Sequence, residues 1–283
     1  MVKYKAWDLI PGQLRENQVF SMKTSFKISV LASGSRGNAS LIQVGQTAIL
    51  IDAGISCRRI VQGLKARNLL PSDLGGIFLT HEHKDHIAGL EVFSRTFGEV
   101  PIFASEKTWT RLPFRRTMNR DQMRVLPRSC VVGCLRIQPF SIPHDAIDPV
   151  GYEIFYNDRK CTYLTDCGFV TKTCEQAVDG AETLILEANH DEEMVRAGPY
   201  PAPLKARILG REGHLSNRAA ADLLKKVDVP PEVVFLAHLS EMNNSPRLAY
   251  DTVKSVLEDN PRTRDVTLYV ASQKEAVSNF SLK

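Results

Sequence analysis

Thr80-His81-Glu82-His83-Lys84-Asp85-His86 is the stretch on which the reading of this sequence turns. It holds three of the chain's seven histidines, with Asp85 among them. Upstream, Gly76-Ile77-Phe78-Leu79-Thr80 has the apolar run of a buried strand, and downstream Ile87-Ala88-Gly89-Leu90-Glu91-Val92-Phe93 has helical spacing. The cluster therefore belongs where a strand ends and a helix begins, held by rigid elements on both sides yet open to solvent. Imidazole and carboxylate in one short run suit a borderline divalent metal such as zinc, manganese or iron. The plain alternative is a solvated polar turn, but four donor side chains in the six positions from His81 to His86 weigh against it.

Similar strand ends recur along the chain. The hairpin Ser40–Val44 and Thr47–Ile51 ends at Asp52, a carboxylate that is either a turn residue or a partner orienting a metal ligand. The strand Leu135–Ile142 runs through Pro143 into His144. The hairpin Val150–Tyr156 and Cys161–Thr165 ends at Asp166. Glu187 closes Thr183–Leu186, and His238 closes Glu232–Ala237. A first strand is expected at Phe26–Leu31 and a last at Val266–Val270. Helices are expected at Ser56–Asn68, at Arg218–Lys226 behind a Ser216 or Asn217 cap, and at Arg247–Glu258, while Pro199, Pro201 and Pro203 mark a loop. Strands that alternate with helices but also form hairpins make an α/β protein with mixed sheets. Polar residues at so many strand ends fit one site at one edge of those sheets.

The 283 residues are 43% apolar and 24% charged, ordinary for a soluble chain with a sizeable core. Net charge is +4, which permits a nucleic-acid partner without requiring one. Six cysteines are scattered with no CxxC, so reduced thiols and a cytoplasmic location are expected. Residues 1–25 form a polar extension, expected to be loosely ordered and without a signal peptide's apolar core, and the folded domain is expected over 26–283. No apolar run reaches membrane-span length, so no membrane partner is expected. Two stretches leave alternatives open. Ser33, Ser35, Arg36 and Asn38 lie in a Gly-containing loop that is either an anion cradle or a plain turn. Lys107 and six arginines, Arg115 and Arg116 among them, interleave with Trp109 and Phe114 over 107–128. They form either a nucleic-acid surface or a solvated basic face.

Taken in order, Asp52, His81-x-His83-x-Asp85-His86, His144, Asp166 and His238 resemble the motif set of the metallo-β-lactamase-fold hydrolase superfamily, over residues 26 to 271. The resemblance implies a four-layer αβ/βα sandwich with mixed sheets, one catalytic domain over 26–283, and two divalent metal ions, zinc or manganese, with iron a further option. It implies that His81, His83 and His144 hold one ion and Asp85, His86 and His238 the other. Asp166 would bridge them and Asp52 would support the ligands. Asp85 would also orient the attacking water, supplied as a hydroxide held between the two ions.

Three further stretches narrow the family. Ser33–Asn38, Leu186–Asp191 and Gly213–Asn217 are similar to segments of the WalJ/YycJ-like subgroup, described as exonucleases that act on DNA, single strands in particular, from the 5′ end. The second and third also resemble the tRNA 3′-end processing endonucleases, in which a glutamate-oriented histidine protonates the leaving oxygen. Carried over, Glu187 orients His214, and His214 is the general acid. The resemblance thus implies a 5′-3′ DNA exonuclease with DNA as partner and a role in DNA repair. Ser33, Ser35, Arg36, Asn38, Arg115 and Arg116 are its candidate substrate contacts. The alternative is a glyoxalase II-like thioesterase with the same ligands, which the Glu187/His214 pair argues against because a thiolate leaving group needs little protonation. About 70 residues separate Asp166 from His238, too few for the inserted nucleic-acid-binding domain of the β-CASP nucleases. Any grip on substrate then falls to the surface of the core.

Overall fold

The computed structural model describes residues 26–280, so the expected extension at 1–25 lies outside the described residues. Numbered in chain order, the strands are β1 (Lys27–Ala32), β2 (Ala39–Val44), β3 (Thr47–Ile51), β4 (Leu74–Phe78), β5 (Ile102–Ala104), β6 (Met123–Val125), β7 (Cys130–Val132), β8 (Leu135–Ser141), β9 (Val150–Tyr156), β10 (Arg159–Leu164), β11 (Thr183–Glu187), β12 (Val233–Ala237), β13 (Thr267–Val270) and β14 (Val277–Ser278). They form two seven-stranded sheets, ordered β14-β1-β2-β3-β4-β5-β6 and β13-β12-β11-β10-β9-β8-β7. In each, antiparallel hairpin strands lead into a parallel run. The first run is β3, β4, β5 and β6, and the second is β10, β11, β12 and β13.

Parallel strands need crossovers, and the crossovers supply the outer layers. The helices are α1 (Cys57–Lys65), α2 (Lys84–Ile87), α3 (Leu90–Thr96), α4 (Glu106–Arg111), α5 (Lys172–Val178), α6 (Glu192–Ala197), α7 (Ala202–Ile208), α8 (Asn217–Lys226) and α9 (Pro246–Glu258). The alternation of strand side chains divides the core accordingly. On β3, Ile49 and Ile51 enter the core between the sheets, while Ala48 and Leu50 pack outward with Ile60 and Leu64 of α1. On β12, Phe235 and Ala237 point between the sheets, and Val234 and Leu236 pack with Leu223, Leu224 and Val253 of α8 and α9. The result is the four-layer αβ/βα sandwich with mixed sheets.

The central core anchors the functional loop. Phe78, the last residue of β4, stacks on Phe103 at 4.5 Å between ring centres and meets Tyr152 edge-on at 5.8 Å. Burying the Phe78 ring contributes roughly 1.5–3 kcal/mol of transfer free energy, so the chain leaves β4 from a fixed point.

Several boundaries differ from the expectation. β4 ends at Phe78, so residues 79–83 form a loop rather than the end of a strand. The helix expected over 87–93 is split into α2 and α3, because the Gly89 N–H bonds to the Ala53 carbonyl and the backbones approach closely there. The proline-marked loop contains a helix. Pro201 caps α7 and Pro203 lies in its first turn, where a missing N–H costs nothing. β7, α5, α6 and β14 are too short to show a periodic signal in sequence. Among the described residues, no helix is long and apolar enough to cross a membrane.

Candidate metal centre and active site

The site is built from strand tips of both sheets. Asp52 follows β3, His81 follows β4, Asp166 follows β10, Glu187 ends β11 and His238 follows β12. Three of these adopt the left-handed backbone region, with φ of 60° at Asp52, 56° at Asp166 and 57° at His238. That conformation costs a side-chain-bearing residue roughly 1–2 kcal/mol. It turns each strand sharply, so the side chain points across the sheet edge. Local hydrogen bonds offset the cost: the Asp52 N–H donates to Phe78 O at 2.9 Å, and the His238 N–H to Ser33 Oγ at 2.7 Å.

The structure gathers His81, His83 and His144 into one group of donor atoms, and Asp85, His86 and His238 into another, each within 4.8 Å. His81 Nε2 lies 3.0 Å from His83 Nδ1, and His144 Nε2 lies 3.3 Å from the same atom. In the second group, Asp85 Oδ2 lies 3.5 Å from Nε2 of both His86 and His238. Asp166 stands between the groups, with Oδ2 at 3.2 Å from His86 Nε2 and Oδ1 at 3.8 Å from His144 Nε2.

Supporting contacts fix the imidazoles. Asp52 is fully buried; its carboxylate accepts the Thr80 N–H at 2.8 Å and lies 2.7 Å from His86 Nδ1. The Thr80 hydroxyl lies 2.9 Å from His81 Nδ1. His144 Nδ1 lies 3.1 Å from Gly213 O. Each of these bonds uses Nδ1 and leaves Nε2 as the donor facing the centre, the arrangement second partners impose on metal-binding histidines. Glu187 is the most heavily engaged carboxylate. Its Oε1 lies 2.8 Å from His214 Nδ1 and 2.9 Å from His238 Nδ1, and its Oε2 accepts the N–H groups of Cys167 and Leu215 at 2.8 and 3.0 Å.

The electrostatics are those of a tightly compensated cluster. Burial opposes charge on His238, yet Asp166 above all, with hydrogen bonds to Asp85 and Glu187, raises it to about 10. Burial likewise opposes charge on His86, but Asp166, Asp52 and Asp85 hold it well above the ordinary histidine value. Burial pushes the Asp85 carboxyl up, and the charges and hydrogen bonds of His86 and His238 more than reverse this, holding it far below the usual range. Burial and the neighbouring His86 keep His81 neutral. The donor set fits divalent cations: His238 Nε2 and Asp166 Oδ2 are buried, and the groups they pair with, Asp85 Oδ2 at 3.5 Å and His86 Nε2 at 3.2 Å, are themselves candidate ligands. Imidazole nitrogens and carboxylates in such proportion suit zinc, manganese or iron.

The other candidate residues divide. Ser35 lines the cleft, a space of about 250 Å³ that opens onto His83, Asp85 and His214. Arg36 is exposed at the rim and pairs with Glu241 at 2.7 Å. Ser33 and Asn38, expected at the substrate, are instead buried behind the ligands. Ser33 holds the His238 backbone, and Asn38 Nδ2 lies 3.1 Å from His86 Nε2. Their side chains are used by the fold and do not line the cleft. Arg115 and Arg116 line a separate hollow, which shares no residue with the cleft. Thr80 and the contact of Glu187 with His238 were not legible in sequence. Thr80 carries only the weak signal of adjoining the histidine run.

Gly54 shows how closely the loop is seated. A Cβ there would lie 1.6 Å from the Asp85 carbonyl oxygen, so Gly54→Ala must displace the segment that carries Asp85 and His86. The expected outcome is a loss of about 3 kcal/mol in denaturant unfolding, with reduced divalent-cation content in the purified protein. Wild-type stability and wild-type content together would show that the loop tolerates the shift.

Two facing sheets with a histidine and carboxylate cluster at one edge define a metal-binding hydrolase of the sandwich class. The chain belongs to the beta-lactamase superfamily, in its WalJ/YycJ-like group. The family model described as "Beta-lactamase superfamily domain" matches residues 47–239. The chain is 38% identical over 237 residues to exodeoxyribonuclease YycJ of Bacillus anthracis, covering 82% of this chain and 89% of that protein. It is 36% identical over 238 residues to exodeoxyribonuclease WalJ of Streptococcus pneumoniae, covering 82% and 88%. Among solved structures, the metallo-beta-lactamase fold protein YhfI from Bacillus subtilis superposes with a TM-score of 0.67 at 16% identity, over 90% of this chain and 99% of that one. This last is a likeness of fold.

Proposed function

We propose that the protein is a metal-dependent nuclease that removes nucleotides from the 5′ end of single-stranded DNA. The observation that carries this reading is the Glu187–His214 pair beside the metal cluster. A fully buried carboxylate 2.8 Å from His214 Nδ1 leaves Nε2 of the ring free on the cleft side. A phosphodiester has a poor leaving group, and a carboxylate-held imidazolium, protonated on both ring nitrogens, can give it the Nε2 proton. The exodeoxyribonuclease relatives support DNA as the substrate, and the strand preference and direction rest on the WalJ/YycJ-like resemblance.

In this reading His81, His83 and His144 would hold one divalent cation and Asp85, His86 and His238 a second, with Asp166 shared. Zinc or manganese bound there supplies Lewis acidity and a hydroxide nucleophile at neutral pH. The chain's own residues do the rest. Asp85, half-buried on the cleft side, orients the attacking water. His214 protonates the departing 3′ oxygen. Glu187 holds the His214 ring in register, and Asp52 does the same for His86. Ser35 and Arg36 lie at the cleft and its rim, where a phosphate could be met. Arg115 and Arg116 offer a basic surface farther along the strand; among the described residues neither has an acidic partner.

The test is a panel of 5′-labelled single-stranded DNA, duplex DNA, RNA and a glutathione thioester, each with zinc or manganese. Single-stranded DNA is expected to be degraded from its 5′ end and the thioester left intact. Faster thioester hydrolysis than any nucleic-acid cleavage would overturn the reading in favour of the glyoxalase II-like alternative. In the same panel His214→Ala should lower phosphodiester turnover roughly a hundredfold or more with metal content unchanged. Loss of a metal equivalent would make His214 a ligand instead.

A further inference from the structure

The segment between α6 and His214 is unlike the rest of the helical layers. No residue of α7 is buried, and none joins a core cluster. Yet α7 carries two apolar side chains one turn apart, Leu204 and Ile208, and these line the metal cleft together with Tyr200, which precedes the helix, and Arg207. This apolar helical face is turned towards a cluster of histidines and carboxylates, and among the described residues neither Leu204 nor Ile208 belongs to a hydrophobic core cluster. It is a roof with space beneath it.

Few bonds hold that roof. Lys205 Nζ donates to Arg196 O at 2.6 Å on one side. On the other, the Arg207 guanidinium pairs with the carboxylate of Asp145, the residue after His144. The second Asp145 oxygen is buried with no hydrogen-bond partner among the described residues, 3.4 Å from His144 Nε2 and 3.9 Å from His83 Nε2. The Arg207 charge is thus parked on an anion immediately beside the candidate metal ligands. The roof is also continuous with the candidate acid: the His214 N–H donates to Ile208 O at 3.2 Å, and the Asp145 N–H to Glu212 O at 3.2 Å. Whatever seats α7 therefore also seats His214.

We propose that α7 is the strand-selecting roof of the cleft: Arg207 exchanges Asp145 for a phosphodiester of a single DNA strand, and Tyr200, Leu204 and Ile208 pack on its sugar and base, so that only an unpaired end is seated under His214. This rests on the nuclease reading above and adds the element that chooses the strand. The chemistry of its lining favours it. Guanidinium pairs with phosphate in the same forked geometry as with carboxylate, and aromatic and apolar side chains hold unstacked bases without regard to sequence.

The experiment compares single-stranded DNA with a blunt duplex of the same sequence, using the metal-loaded protein. KM and kcat are measured for both, and binding is followed by anisotropy with nuclease-resistant phosphorothioate strands. Arg207→Ala should weaken single-strand binding about tenfold or more, the size of one lost charge-assisted contact, mainly through KM. Arg207→Lys, which keeps the charge, should recover part of it. Leu204→Ala with Ile208→Ala should reduce the single-strand preference several-fold. Arg264→Ala removes an exposed charge before β13, at the sheet edge opposite the cleft, and should change nothing. Unchanged strand preference and single-strand affinity in the Arg207 and Leu204/Ile208 variants, with wild-type melting temperatures, would overturn the role of α7 while leaving the nuclease reading intact. A wild-type protein that cleaves no DNA would overturn both.

Discussion

Asp85→Ala is expected to lower DNA hydrolysis by at least about a thousandfold while leaving the fold in place. The carboxylate has two tasks in the proposed reaction, as a donor to one cation and as the group that orients the attacking water, and alanine can do neither. The loop should survive, because the backbone of residue 85 carries the structural bond: the Asn38 N–H donates to Asp85 O at 2.7 Å. The side chain does stabilise its surroundings, since His86 and His238 each lie 3.5 Å from Oδ2 and hold the carboxyl ionised. Its removal leaves those two imidazoles without one of their counter-charges. Metal content should therefore fall along with turnover. The measurement is single-turnover cleavage of a 5′-labelled strand, with metal analysis of the same sample. Equal DNA loss by variant and wild type would end the metal mechanism proposed here.

Glu187→Ala is expected to destabilise the metal-free protein by roughly 3–5 kcal/mol, far more than the loss of one ordinary hydrogen bond. The fully buried carboxylate receives two backbone N–H groups and faces two imidazoles, four partners from three separate segments. Alanine would strand all four partners in a space that water reaches poorly. Burial alone would raise the glutamate carboxyl, but His214 above all, with hydrogen bonds to His214 and His238, lowers it to about 2. A depressed carboxyl stabilises the fold fully above its ordinary value and loses that contribution as pH falls from about 4.5 towards 2. Glu187→Gln should remove this acid-dependent part, which urea unfolding across that pH range measures in the presence of a chelator. A Glu187→Ala loss of under about 1 kcal/mol would mean that the four partners find others.

Much of the candidate site was legible because its residues report themselves locally. His81, His83, Asp85 and His86 are neighbours in sequence and therefore neighbours in space wherever a strand turns into a helix. Asp52, Asp166, Glu187 and His238 each end an apolar run, and a polar residue in that place stands at a sheet edge. Other relations run through long sequence separations that periodicity cannot see. Ser33 supports the backbone of His238 across 205 positions. Asp52 and His86 meet across 34, and Glu187 and His238 across 51. A loop with serines, glycines and an arginine has the composition of an anion cradle whether its side chains face outward or, as at Ser33 and Asn38, inward. The arginines at 115 and 116 have the same charge wherever they lie, and only the packing of the sheets puts them in a hollow apart from the cleft.

By itself, then, the sequence determined the α/β class, the order of the strands that carry the site and the donor types gathered at their ends. Burial pattern and short-range chemistry are written in neighbouring residues. Only the tertiary structure decided which tips face one another, that Glu187 serves two histidines at once, and that a proline-rich stretch folds into a helix over the cleft. α7 is seven residues long and contributes nothing to the hydrophobic core, so the apolar periodicity that marks helices elsewhere in this chain had little to act on. Its place is set by a few polar bonds and by the space it covers, and both exist only once the two sheets have closed on each other.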